Sequence, residues 1–224
     1  MTGGTSSGTT AATGAGLPAA DMPAAGLPAA GPSPVDFRIT LPPGWVRLPL
    51  DDRADATIAL LAKRRAALLA VNTQESACHV FTTLFREAVE QGRRAGGLDV
   101  LLSVDPVEGI SVPASCLISY VEADPATRSM QDLLDQLASD GADTSLVQLD
   151  VGLTVRRHSR RFQSIEEGAD PMADIRVTEV AYWLPVPGRS GLLAISFSTV
   201  ADELADALVT LFDAMADTFW WVMP

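Results

Sequence analysis

The chain has little of the material from which active sites are usually assembled. Two histidines and two cysteines occur in 224 residues. Cys78 and His79 are consecutive on a predicted helix, so their side chains diverge by about 100° and form no thiolate–imidazole pair. Glu75 and His79 share a helix face, but no third ligand lies near them to complete a metal site. No lysine-bearing phosphate cradle is present, since GGTSSG near the N-terminus follows no strand. No G-x-S-x-G elbow occurs either, and GRSG at 188–191 reads as hairpin-turn material. Glu166 and Glu167 stand beside Gly168 and Asp170 in a predicted solvated loop. No catalytic residue, cofactor or metal ligand is assigned.

Basic charge is also scarce: 16 Lys and Arg against 28 Asp and Glu leave a net charge of −12. That balance argues against non-specific binding of nucleic acid, which needs a basic face. No run approaches the ~18 apolar residues of a membrane helix. The N-terminus lacks both the basic residues and the unbroken apolar stretch of a secretory signal, so a cytoplasmic protein is expected. Cys78 is expected on a helix and Cys116 on a strand, with no metal-type spacing between them. Free thiols in a reducing compartment are the simpler reading, and a disulfide in an oxidising one is the alternative.

What the chain does have begins with a segment unlike the rest. Residues 1–34 are rich in Pro, Ala and Gly, with Leu17-Pro18, Met22-Pro23 and Leu27-Pro28 in five-residue phase. Such a segment buries too little surface to offset its ordering entropy, and a disordered, extended tether is expected. Residues 35–224 are expected to form one folded domain. Phe37–Leu41 alternates as a strand, Pro42-Pro43-Gly44 breaks it, and Trp45–Leu48 reads as a short return strand. Trp45 is expected in the core. A helix over 54–69, capped by Asp51 or Asp52, precedes a second over 74–95. Asn72 and Glu75 stand at capping-box spacing before that second helix, and Gly96-Gly97 ends it. Its predicted core stripe is Ala77, Val80, Phe81, Leu84, Phe85 and Ala88.

Leu98–Val104 and Ala114–Val121 read as antiparallel partners across a loop marked by Asp105-Pro106 and Gly109. A helix over 130–139 follows, carrying Met130, Leu133, Leu134 and Leu137 on one side. Strands are then predicted at Ser145–Leu149, Leu153–Phe162, Ile175–Leu184 and Leu192–Thr199. In the last of these, Leu193, Ile195 and Phe197 face one way, toward a closing helix over 201–220. Runs of strands joined by short turns favour an α+β fold with a mainly antiparallel sheet and helices packed on it. Phe219-Trp220-Trp221-Val222-Met223 is apolar on every side of that helix. It is expected to pack against Trp45 or the sheet, or to make a subunit contact.

FRITLPPGWVRL, through Phe37, Ile39, Leu41, Pro43, Gly44 and Trp45, resembles the opening of the PsbP-like sandwich superfamily. The resemblance implies an antiparallel sheet with helices on its faces. It implies no single function, because related domains serve as photosystem subunits, as binders of a nuclear-transport GTPase and as lipoproteins. The Ala/Asp/Arg-rich composition is also similar to that of actinobacterial proteins, some of them associated with specialised secretion loci.

Against the acidic background, VRRHSRRF at 155–162 concentrates Arg156, Arg157, His158, Arg160 and Arg161. In a strand, Arg156, His158 and Arg160 share one face while Arg157 and Arg161 take the other, which points to an edge or projecting strand. This strip is the predicted partner-binding site, for an acidic partner, a phosphate group or the protein's own acidic surface. The surrounding arginines disfavour the His158 cation. The leading expectation is a non-enzymatic protein-interaction module, accessory to a secretion system or other multiprotein assembly, with another protein as partner. The alternative is a small-ligand-binding domain or degenerate enzyme. Its cleft would lie near Pro113–Tyr120, lined by Cys116, Tyr120 and His158.

Overall fold

The computed structural model describes residues 32–106, 112–124, 127, 129–138, 141–163 and 175–224. In chain order it has β1 (Asp36–Arg38), β2 (Trp45–Pro49), α1 (Ala54–Ala66), α2 (Gln74–Arg94), β3 (Gly97–Ser103), β4 (Ala114–Glu122) and α3 (Met130–Leu137). These are followed by β5 (Asp143–Leu149), β6 (Gly152–Gln163), β7 (Ile175–Pro185), β8 (Gly191–Thr199), α4 (Ala205–Asp217) and β9 (Trp220–Val222). The proline-rich segment up to residue 31, Gly109 and Glu166-Glu167 lie outside the described residues.

Seven strands form one sheet in the order β2-β3-β4-β8-β7-β6-β5, every neighbour antiparallel. The α+β class read from the runs of strands is what the chain adopts. Two-residue alternation gives this sheet two different faces. On one, Leu101, Cys116, Ile118, Ile195 and Phe197 pack under α4, whose Leu208, Phe212 and Met215 complete the main core. The rings of Phe197 and Phe212 stack with centroids 4.8 Å apart. The predicted orientation of Leu193, Ile195 and Phe197 toward the C-terminal helix is therefore observed.

On the opposite face, Val100 and Leu117 pack under α1 and α2, with Ile58, Phe85 and Val89. Val155 and Leu192 pack under α3 at the far end of that same face. Ser129 and Asp132 close a reciprocal capping box at the start of α3. A serine-rich strip, with Ser115, Ser119, Ser196 and Ser198 half-buried, separates the two helical patches.

Several local expectations are corrected. β1 does not pair with β2. It pairs with β9, and the two three-residue strands make a separate ribbon that joins the ends of the described fold. The last helix stops at Asp217, so Trp220–Val222 is strand. Phe219 is buried and stacks on Phe37 at 5.7 Å, and Trp221 meets Phe219 edge-on at 4.9 Å. The C-terminal apolar cluster thus packs on β1, while Trp220 is exposed.

Asn72 and Glu75 form no capping box: α2 follows a 3-10 turn at Val71–Thr73 and has no side-chain cap. Asp51 does not cap α1 by its side chain, which instead accepts from Arg53 N–H at 2.9 Å. On α2 the buried row is Phe85, Val89 and Gly92, whereas Val80 and Leu84 are exposed. Trp45 is half-buried, edge-on to Phe212 at 6.4 Å. Gly44, at φ 86°, makes the turn that delivers Trp45 there, a backbone angle that suits glycine.

Candidate protein-docking site

The arginine strip lies on β6, but β6 is an edge only in part. From Gly152 to His158 it is flanked by β5, and among the described residues only Ser159–Gln163 borders β7 alone. Arg156, His158 and Arg160 share the α4 face, as their spacing requires. Arg156 Nε and Nη2 donate to the two Asp213 oxygens at 2.8 and 3.1 Å. The Tyr182 hydroxyl donates to the same carboxylate, and burial together with that carboxylate raises its pKa. Arg160 pairs with Asp206. Asp206 and Asp213 are seven residues apart on α4, hence on one side of it. On the other face of β6, Arg161 pairs with Glu179 at 2.6 Å.

Of the three kinds of occupant considered for the strip, the protein's own acidic surface takes Arg156, Arg160 and Arg161. Arg157 lies on the face away from α4. His158 has its pKa lowered, first by burial and then by Arg156 and Arg160, and its Nε2 is buried without a hydrogen-bond partner.

Cys116, Tyr120 and His158 are not brought together. Cys116, Phe197, Val180 and His158 lie in one row across four adjacent strands. Three strand spacings, about 14 Å, therefore separate the thiol from the imidazole. Cys116 is fully buried, and burial pushes its thiol well above the ordinary value, which leaves it protonated. Cys78 is free as well, in the cluster on the opposite sheet face. Tyr120 lines a cleft of about 520 Å³ with Arg47, Asp99 and Trp221. There Arg47 donates to Asp99 at 2.7 Å, while burial of Asp99 raises its carboxyl pKa against that bond. Glu75 and His79 are exposed on α2. Among the described residues, no three His, Cys, Asp or Glu side chains gather as a metal-ligating group.

The surface that sequence reasoning missed lies on α1. Its buried row is Ala54, Ile58, Ala62 and Ala66, one residue per turn and mostly small. Small side chains let the helix sit close to α2 and the sheet. The larger apolar residues are left outside: Leu60 is 50 % exposed, Leu68 just past the helix is 75 % exposed, and Leu61 is half-buried. An ordinary surface helix turns such residues inward.

Leu61, Arg64, Arg65 and Leu68 follow the i, i+3, i+4, i+7 spacing of a single helix face. With Trp45, Val46 and Arg47 of β2 they line a cleft of about 500 Å³. Arg65 is tied to Asp105. Lys63 and Arg64 are exposed and have no ion-pair partner among the described residues. The cleft is thus lined by Trp45, two leucines and three arginines, of which Arg64 alone has no ion-pair partner among the described residues. The sequence signal for it was the contrast between alanines at four-residue spacing and leucines out of phase with them.

No protein-family model, no curated protein and no solved structure matches the chain. No helix among the described residues is long and apolar enough to cross a membrane.

Proposed function

We propose that this protein is a non-enzymatic interaction module, an accessory subunit of a multiprotein assembly in the cytoplasm. It binds an acidic segment of another protein at the cleft between α1 and β2. The observation that carries the reading is the burial pattern of α1, with Ala54, Ala62 and Ala66 inside, Leu60 and Leu68 exposed and Leu61 half-buried, beside Arg64, which has no ion-pair partner among the described residues. Full burial of one leucine is worth about 1.5–3 kcal/mol, and an exposed apolar cluster of this kind marks an interaction surface. Tryptophan and arginine are residues on which docking energy concentrates, and Trp45, Arg64 and Arg65 line the cleft. The cations select the partner: an extended or helical segment with leucine or aromatic anchors among Asp and Glu residues.

The likeness to PsbP-like sandwiches belongs to this proposal, because its motif residues Pro43, Gly44 and Trp45 form the turn that leads into β2, one wall of the cleft. Free Cys78 and Cys116 support the reducing compartment.

A peptide-display selection against the full chain tests the reading. The selected peptides are expected to combine acidic residues with Leu, Phe or Trp. They are expected to bind Arg64→Glu and Leu68→Ser variants at least tenfold more weakly, about 1.4 kcal/mol each. Selected peptides without acidic bias, or equal binding by both variants, would contradict it.

A second reading is small-ligand binding in the 520 Å³ cleft, favoured by the convergence there of Arg47, Asp99 and Tyr120. Stabilisation by one metabolite class in a thermal-shift screen, lost in Tyr120→Phe, would support that reading.

A further inference from the structure

The cleft of about 520 Å³ lies where the described chain begins. Ser33 Oγ donates to Gly188 O at 3.4 Å, in the turn between β7 and β8, and Val35 N–H donates to Val222 O at 2.9 Å, on β9. Pro34, between these two anchors, lines the cleft, so residues 1–31 join the fold beside it. Phe37, Tyr120 and Trp221 supply its aromatic walls. The Trp221 Nε1–H is buried and has no hydrogen-bond acceptor among the described residues. A buried donor left in that state is costly, and a carbonyl brought to it removes the cost.

The charges of the cleft are nearly all matched within it. Three arginines and three aspartates line it. Arg47 contacts Asp99 at 2.7 Å and Asp36 at 3.8 Å, and Arg53 contacts Asp51 at 2.7 Å. Arg189, exposed in the turn between β7 and β8, has no carboxylate partner among the described residues. The chain that precedes the fold has the complementary composition. Residues 1–31 contain one charged side chain, Asp21, set among Leu17-Pro18, Met22-Pro23 and Leu27-Pro28. A Leu-Pro unit in polyproline II form presents an apolar edge and backbone carbonyls free of internal hydrogen bonds, which is what aromatic-lined grooves recognise.

We propose that residues 17–28 fold back into this cleft as a ligand carried by the chain itself, with Asp21 at Arg189 and a Leu-Pro unit against Tyr120 and Trp221. Asp21 precedes Ser33 by 12 residues. That is about 37 Å of extended chain at ~3.1 Å per residue, enough to reverse direction, and Gly26 and Gly31 supply the bending points. Attachment holds the segment at an effective concentration of ~1 mM, so weak contacts suffice, and three units in five-residue phase give three chances to seat one. This goes beyond the docking site on α1, and it competes with the small-ligand reading of the same cleft: an outside ligand enters only when the segment is displaced.

Amide relaxation measured by NMR on the full chain tests this. Residues 17–28 are expected to show heteronuclear NOE values close to those of the folded domain, and residues 2–13 the low values of a free chain. Leu17→Ser, Met22→Ser and Leu27→Ser together are expected to bring residues 17–28 down to the free-chain values. The same change is expected to move the Trp221 indole Nε1–H signal, identified through Trp221→Phe. Asp21→Arg is expected to weaken the ordering, and Asp21→Arg with Arg189→Asp to restore it, at positions that the described fold does not bury. Wild-type residues 17–28 as mobile as 2–13 would overturn the inference. So would a Trp221 signal unmoved by the triple change, a charge reversal that restores nothing, or ordering that grows with protein concentration, since the contact would then be between chains. Free residues 17–28 with a Trp221 signal that moves on adding a metabolite would assign the cleft to a small ligand instead. The α1 variants Arg64→Glu and Leu68→Ser are expected to leave these readings unchanged, so failure here is distinguishable from failure of the docking site.

Discussion

Arg156 grips Asp213 through two hydrogen bonds, of 2.8 and 3.1 Å, and so fastens α4 to the sheet at β6. The Arg156 side chain is only 16 % exposed, and the Tyr182 hydroxyl bonds the same carboxylate. Three arginines of the strip, Arg156, Arg160 and Arg161, thus pair with carboxylates of the chain itself. Asp213→Ala leaves a half-buried guanidinium and a buried hydroxyl without their acceptor. It is expected to lower stability by about 2 kcal/mol in urea denaturation. Replacing both partners, Arg156→Met with Asp213→Leu, is expected to recover most of that loss. Equal stability of the single variant and wild type would contradict the role.

His158 supplies a pH dependence with a defined sign. Its native pKa lies below 6.5, lowered by burial and by Arg156 and Arg160, whereas the unfolded chain protonates it near 6.5. Between those two values the unfolded state binds more protons, so stability falls as pH drops from 6.5 toward the native value. Above 6.5 the dependence fades, as the unfolded chain loses the same proton. His158→Gln is expected to flatten the stability profile in that window, as read by urea midpoints across a pH series. Parallel profiles for variant and wild type would contradict it.

The Tyr120 ring lies over Gly191, and a Cβ added at that position would collide with it. Gly191→Ala is expected to cost about 1–3 kcal/mol by forcing the ring aside. The cost should shrink sharply when Tyr120 is already alanine. A double-mutant cycle reads this directly, and additive effects would show that the ring is not the obstacle.

Deleting residues 219–224 removes both the buried Phe219 and the partner strand of β1. Loss of the Phe219 side chain alone is worth about 3–5 kcal/mol. The truncated chain is expected to melt far below the full chain, with Phe219→Ala intermediate between them. An unchanged melting temperature would mean that the ribbon of β1 and β9 adds nothing to the core.

The main sheet was legible because its strands alternate. Leu193, Ile195 and Phe197 announce one buried face of β8, and the antiparallel class follows from turns too short for crossovers. What escaped was set by contacts distant in sequence. β9 is three residues long, too short for periodicity to register, and its pairing with β1, itself read as a strand from Phe37–Leu41, spans the whole chain. The register of α2 was misjudged because Gly92, which hydropathy ignores, is its point of closest approach: a Cβ there would lie 2.6 Å from Val100 Cγ2. That approach turns Phe85 and Val89 inward and leaves Val80 and Leu84 outside. In the arginine strip, the division of side chains between faces was readable. The carboxylates that receive it, Asp206 and Asp213, lie about fifty residues further on, where only the packing of α4 brings them close.

The most direct measurement is a hydrogen-exchange footprint of the full chain with and without a selected acidic peptide. Slowed exchange is expected at residues 45–49 and 61–68, with residues 156–163 unchanged. Protection of 156–163 while 61–68 exchanges as before would contradict docking on α1.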